Sequence, residues 1–277
     1  MQQVLAVLPT YPDGNADTVA VPATAVARHL EADLTALLLI PDFQKVSSPL
    51  GNLLVDVSTL AGEARTRAQA RADALKTAFG SAAGHAGVAL RVAERDCPVV
   101  LFGEEAARAA RYHDLAVLGL GADDPVIRSV TETVVFGAGR PVVLVPERAE
   151  AAGFRHVMIA WDGSRVAARA VGDARDFLRR AAAVSIVSVV DEKALDASQH
   201  GERLADALAR QGIRATAVQI KGGSRLVTQT LHGHLQEIGA DMLVMGAFGH
   251  SRVRDFVLGG ATAGILRNLQ VPTLLSH

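Results

Sequence analysis

Gly246 and Gly249 stand three residues apart at the end of the apolar run Met242-Leu243-Val244-Met245, and Gly259-Gly260 follows after nine intervening residues. A helical pattern over 263–269 comes next and stops at Val271-Pro272. A buried strand, a glycine-rich loop and a helix start together make a cradle for phosphate. Glycine lets the backbone come close to an anion, and the unpaired amides of a helix's first turn point at it. His250, Ser251 and Arg252, directly after the second glycine, add donors and positive charge suited to phosphate oxygens. Ala261 and Thr262 supply a further amide and a hydroxyl within one helical turn of Gly260.

The elements that would position such a loop recur along the chain. Apolar runs over 4–8, 34–40, 115–120 and 142–145 read as buried strands, with a further strand over 90–93. Helical spacing separates them over 18–29, 61–79 (closed by Gly80), 103–112 and 126–136. After Pro146 the polar, Ala-rich stretch 147–153 reads as a linker, and the pattern restarts. Strands are predicted over 157–161, 184–190, 215–220, 242–245 and 273–276, alternating with helices over 165–180, 201–211, 226–238 and 263–269. Such alternation predicts an α/β chain built on parallel sheets covered on both faces.

The two halves repeat one another. Asp114-Leu115-Ala116-Val117-Leu118-Gly119 mirrors Asp241-Met242-Leu243-Val244-Met245-Gly246, and Pro141-Val142-Val143-Leu144-Val145 mirrors Pro272-Thr273-Leu274-Leu275-Ser276. Ser129-Val130-Thr131 and Gly260-Ala261-Thr262 lie at the same distance before their prolines, but the first copy is four residues shorter between its glycine and that anchor. The deletion falls inside the phosphate loop. Two domains are expected, 1–147 and 154–277.

Composition narrows the function. Apolar residues make up 49% of the 277, enough for a sizeable core, and 28 Lys+Arg against 29 Asp+Glu leave no electrostatic footprint for nucleic acid or an anionic membrane. Aromatic residues are 4%, which weakens any base-stacking role, and the lone Cys97 excludes an internal disulfide and fits a reducing compartment. No apolar run reaches bilayer length, and Met1-Gln2-Gln3 lacks the basic start of a secretion signal. A soluble, cytoplasmic protein is expected.

The spacing G-x2-G-x9-G-[ST] resembles the signature of the universal stress protein family. Gly246, Gly249 and Gly259 fit it, and Gly260 stands where the family carries Ser or Thr. Both halves look like domains of that family, which implies two tandem open five-stranded parallel sheets of Rossmann-like, adenine-nucleotide α-hydrolase-like type, packed as a pseudo-dimer. In the second half the resemblance extends to Ile159-Ala160-Trp161-Asp162-Gly163-Ser164. It implies that Asp162 reaches the ribose of ATP and that the backbone near Val189 meets the adenine. Gly246, Gly249, Gly259, Gly260 and Ala261 would hold ribose and phosphates, with or without Mg2+. It further implies a stress-response protein without clear catalysis, dimerising through its last strands, with further homodimer formation left open.

Each feature also has a plainer reading. Asp162-Gly163-Ser164 can also be read as only an N-cap, the glycines as turn and packing positions, and Arg252 and Arg254 as solvated residues. The first half lacks Asp-Gly-Ser after its first strand, with Asp13 as the one substitute, and its shortened loop Gly119 to Pro125 places Asp123 and Asp124 where phosphates would lie. That copy is expected to be structural. His232-Gly233-His234 falls in a predicted helix and reads as a solvated face, Cys97 as a packing residue, and Glu104-Glu105 as complement to a helix dipole. No catalytic triad, metal cluster or Gly-Lys-Ser motif occurs. Two other functions compete: a nucleotide-free interaction module of the same fold, and an enzyme needing a second pocket of ionisable groups that the sequence does not offer.

Overall fold

A strand that stays buried along its whole length after the first residue must be covered on both faces, and β1 (Gln3–Pro9) is such a strand. The computed structural model describes residues 2–43, 57–121, 124–147, 153–190, 200–223, 226–247 and 261–277. The chain divides into two compact units, Met1–Arg140 with Glu147–Glu150, and Pro141–Pro146 with Ala151–His277. Strands and helices alternate throughout, and the described strand pairs within the units are parallel except one.

In the first unit β1 is followed by a short helical turn (Asp17–Val19) and α1 (Ala20–His29), then β2 (Asp33–Pro41), α2 (Val57–Ala86), β3 (Leu90–Cys97), α3 (Phe102–Ala110), β4 (Leu115–Leu120) and α4 (Pro125–Gly137). Its strand order is β3-β2-β1-β4. Val4 lies opposite both Leu34 and Leu115, so three apolar strands line up in register. The polar strand is at the edge: β3 exposes Arg91, Val92, Glu94, Arg95 and Asp96 and runs to Cys97, paired with β2 from Leu34↔Leu90 to Pro41↔Cys97. The strand predicted from sequence stops at residue 93 because the second half carries no apolar signal.

Helix α2 also outruns its expected stop at Gly80. Glycine inside a helix costs roughly 1 kcal/mol against alanine, but the buried stripe Ala68, Ala72, Leu75, Phe79 and Ala83 spans Gly80 and carries the helix through. The true stop is Gly87, whose φ of +66° suits the left-handed cap.

The second unit holds β5 (Val142–Pro146), β6 (His156–Ala160), α5 (Arg165–Asp173), α6 (Arg175–Arg180), β7 (Ala183–Val190), α7 (His200–Ala209), β8 (Thr216–Lys221), α8 (Val227–Glu237), β9 (Met242–Gly246), α9 (Ala261–Arg267) and β10 (Thr273–Ser276). Its order is β5-β10-β9-β6-β7-β8. The strand that closes the first sequence repeat, β5, thus groups by contact with the second unit, where it pairs antiparallel with β10 (Thr273↔Leu144, Leu275↔Val142). The single helix expected over 165–180 is divided at Ala174 into α5 and α6. Hydrogen bonds still bridge the break: Ala174 N donates to Ala170 O at 2.9 Å and Leu178 N to Ala174 O at 3.0 Å.

The first unit reverses its winding beside β1 and the second beside β6. Sequence order departs from β1 toward β2 and β3 on one side and returns at β4 on the other; β6, β7, β8 and then β9 repeat the move. The carboxyl ends of β1/β4 and of β6/β9 therefore flank a crevice of the kind in which open α/β sheets hold ligands.

Candidate functional site

At the carboxyl end of β6, Trp161 N donates to Val187 O at 2.9 Å and Ser188 Oγ donates to Trp161 O at 2.8 Å, which pins the strand end to β7. The Trp161 indole N–H is buried and meets no acceptor among the described residues. The next three residues turn the chain into α5. Asp162 Oδ1 accepts from Ser164 N at 2.9 Å, and Ser164 Oγ accepts from Ala167 N at 3.2 Å. Gly163 sits between them at φ +73°, the left-handed region that glycine enters without cost. The N-cap anticipated for Asp162-Gly163-Ser164 is present, preceded by a turn, and the two leave Asp162 exposed at the mouth of the crevice.

Gly246 ends β9 on the other side of that crevice. A β-carbon placed on it would lie 2.6 Å from Val166 C and from Ala167 N, so the strand end and the first turn of α5 touch backbone to backbone. Ala247 N then donates to Ser276 O at 2.9 Å, tying the start of the loop to β10. Val189 lies in β7 opposite Ile220 and is half-buried. Ala261 opens α9, and Thr262 is buried behind it. Gly264 of the same helix is seated against the Thr228 side chain, with the Thr228 hydroxyl 2.7 Å from where its β-carbon would be. Gly249, His250, Ser251, Arg252, Gly259 and Gly260 lie outside the described residues.

One residue of this site, His200, has no counterpart among the sequence candidates. It opens α7, and its Nδ1 lies 3.1 Å from the position of a β-carbon on Gly163. Only the sheet order, which sets the element following β7 beside the turn following β6, brings the two together. No local pattern around His200 signals it.

The first unit's crevice has a different content. Asn15, fully buried, donates through Nδ2 to Glu147 Oε1 at 2.6 Å and to Gly119 O at 3.2 Å, and Ala16 N donates to the same Glu147 oxygen at 3.1 Å. Asp124 caps α4, its Oδ1 accepting from Val126 N at 2.7 Å and Ile127 N at 3.2 Å. Asp123 lies outside the described residues. The carboxylate of Asp124 thus takes the helix-start amides for itself, and Glu147, read from sequence as the first linker residue, reaches back into the β1/β4 crevice.

The remaining candidates resolve plainly. His232 and His234 are both on α8, as expected, but not on a solvated face: both are partly buried, burial holds the His232 imidazole pKa below its usual value, and His234 Nδ1 stands 3.2 Å from Glu237 while its Nε2 is buried. Among the described residues no group of His, Cys, Asp and Glu could hold a metal ion. Cys97 is buried, and burial together with the Glu105 carboxylate pushes its thiol up to about 11. Glu104 and Glu105 occupy the first turn of α3, and Glu105 pairs with Arg108 at 2.9 Å. No described helix is long and apolar enough to cross a membrane.

Comparison with known proteins agrees with this geometry. The model of the universal stress protein family matches residues 153–277. A curated universal stress protein of Synechocystis sp. is 28% identical over 190 residues, which cover 65% of this chain; the chain spans 58% of that relative's length. Among solved structures, a universal stress protein from Archaeoglobus fulgidus DSM 4304 is similar with a TM-score of 0.70 at 18% identity, over 99% of this chain and 97% of that one. A universal stress protein described as putative, from Pseudomonas aeruginosa UCBPP-PA14, gives 0.57 at 15% identity, over 100% and 93%. At such identities these structures speak for the fold alone. With the family's sequence pattern, its α/β architecture and the crevice at β6/β9 together, residues 153–277 are a domain of the universal stress protein family.

Proposed function

We propose that the second unit binds ATP in the β6/β9 crevice and that the protein acts in stress adaptation as a nucleotide-responsive, non-catalytic regulator in the cytoplasm. The observation that carries this is placement: Asp162 begins the turn that follows β6 and Gly246 ends β9, the two strands that flank the point where the sheet reverses its winding. Asp162 would accept from ribose hydroxyls, the backbone around Val189 would meet the adenine edge, and the loop from Gly246 to Ala261 would wrap the phosphates. His200, beside Gly163, is positioned to add a donor. No group on the described crevice residues is arranged as a general base, so hydrolysis is not part of this reading.

A second reading is a nucleotide-free interaction module. It is favoured by the finding that Asp162, Ser164 and Gly246 each have a structural task that needs no ligand. Differential scanning calorimetry of the intact chain with and without ATP separates the two. A ligand that binds only the folded state raises the midpoint by mass action, about 2.7 kcal/mol at a hundredfold excess over Kd. A midpoint indifferent to ATP, with or without Mg2+, selects the interaction module.

A further inference from the structure

We propose that the first unit carries an oxyanion site in its β1/β4 crevice and that the chain fills this site with its own Glu147 carboxylate. Three observations converge on one oxygen and its surroundings. Glu147 Oε1 accepts from both Asn15 Nδ2 and Ala16 N, a charge-assisted pair built on a side chain with no solvent exposure. The Asn15 side chain is held in turn by Gly119 O, so its donor is aimed before the carboxylate arrives. The strand end opposite carries no side chain of its own: a β-carbon on Gly119 would run into the Val19 side chain and stand 2.9 Å from Asn15 Nδ2 and 3.2 Å from Glu147 Oε1, and one on Gly121 would stand 2.9 Å from Glu147 Cδ. Gly121 gives the carboxylate group its room, and Gly119 gives room to Val19, to the Asn15 donor and to the carboxylate oxygen together. The crevice is the counterpart, by strand order, of the one flanked by Asp162 and Gly246.

The main chain of Glu147 is fixed independently of its carboxylate. Its N–H donates to Leu120 O at 3.2 Å, and its carbonyl accepts from Thr18 Oγ1 at 3.0 Å. The side chain can therefore leave while the backbone keeps its place, which makes the site one that an external oxyanion could share. The ligand class is a carboxylate or phosphate small enough to sit between Asn15 and the two glycines. Any such ligand would compete with the tethered group at a high local concentration and would bind only weakly to the parent.

The test uses the full chain and acetate, the fragment that Glu147→Ala removes, with inorganic phosphate as the second oxyanion and chloride at equal ionic strength as control. Glu147→Ala should melt roughly 3–8 °C below the parent, and acetate or phosphate should restore much of that loss saturably, while the parent responds to neither beyond the chloride control. Glu147→Gln, which keeps the shape and an accepting oxygen but not the charge, should melt between the two. Asn15→Ala combined with Glu147→Ala should abolish the rescue. The proposal is overturned if neither anion rescues Glu147→Ala, if the double variant is rescued equally well, or if Glu147→Gln melts with the parent. The Gln variant decides the matter even should the Ala variant fail to fold.

Discussion

Gly246 and Val166 meet backbone against backbone: the carbonyl carbon of Val166 lies 2.6 Å from where a β-carbon of residue 246 would stand. The first glycine of the loop is therefore required by packing before any ligand is considered. Gly246→Ala should destabilise the chain by about 1–3 kcal/mol through overpacking, read as a lowered urea midpoint with and without ATP. An unchanged midpoint would show that α5 can retreat from β9 at little cost.

Asp162 and Ser164 do separable work. Ser164→Ala removes an N-cap and should cost about 1 kcal/mol while leaving ATP affinity within about twofold of the parent, since a cap of this kind acts on the helix start alone. Asp162→Ala removes one turn bond, about 0.5–1.5 kcal/mol, and in the proposed site also a ribose contact, so its ATP affinity should fall well beyond what Ser164→Ala shows. Calorimetry and melting on the same two variants distinguish cap from ligand.

Glu132 on α4 is half-buried, and its Oε1 finds no partner among the described residues. Burial raises its carboxyl above the usual range, only partly offset by Arg128. A raised folded-state value means stability is fullest below the ordinary carboxylate range and is lost as pH rises through the raised one. Glu132→Gln should therefore stabilise the chain at neutral pH by less than about 1 kcal/mol, given partial solvent screening. The gain should vanish in mild acid, which a pair of urea titrations at the two pH values checks.

Cys97 should be inert at neutral pH. Its thiol, moved by burial from 9.0 to about 11, binds its proton more tightly folded than unfolded, so this group's contribution to stability is intact below pH 9 and is lost as pH rises toward 11. A thiol reagent at near-neutral pH should label the native chain slowly and the urea-unfolded chain at once; equal rates would contradict the burial of Cys97.

The alternation and the repeat are legible in the sequence because apolar runs broken by glycine mark buried parallel strands directly. What escapes has no local signal. Strand β3 hides its second half behind exposed Arg95 and Asp96, and Gly80 reads as a stop although Phe79 and Ala83 bury the helix on either side of it. Residue spacing sets Asp123 and Asp124 in the first crevice. Asp124 does occupy the helix-start amides there by capping α4, but a second carboxylate that spacing does not signal, Glu147, reaches the same crevice from 132 residues away to meet Asn15. His200 likewise reaches Gly163 only through the order of the strands. Contacts made across the sheet are set by topology, which residue spacing along one segment does not encode.

Nucleotide binding by the second unit is read most immediately by calorimetric titration of the intact chain with ATP, followed in parallel by the fluorescence of Trp161, the sole tryptophan, which adjoins Asp162. One nucleotide should bind per chain, with a change in Trp161 emission that saturates with the heat, and both signals should be lost in Gly249→Val. A flat titration, or two nucleotides per chain, would contradict ATP binding confined to the β6/β9 crevice.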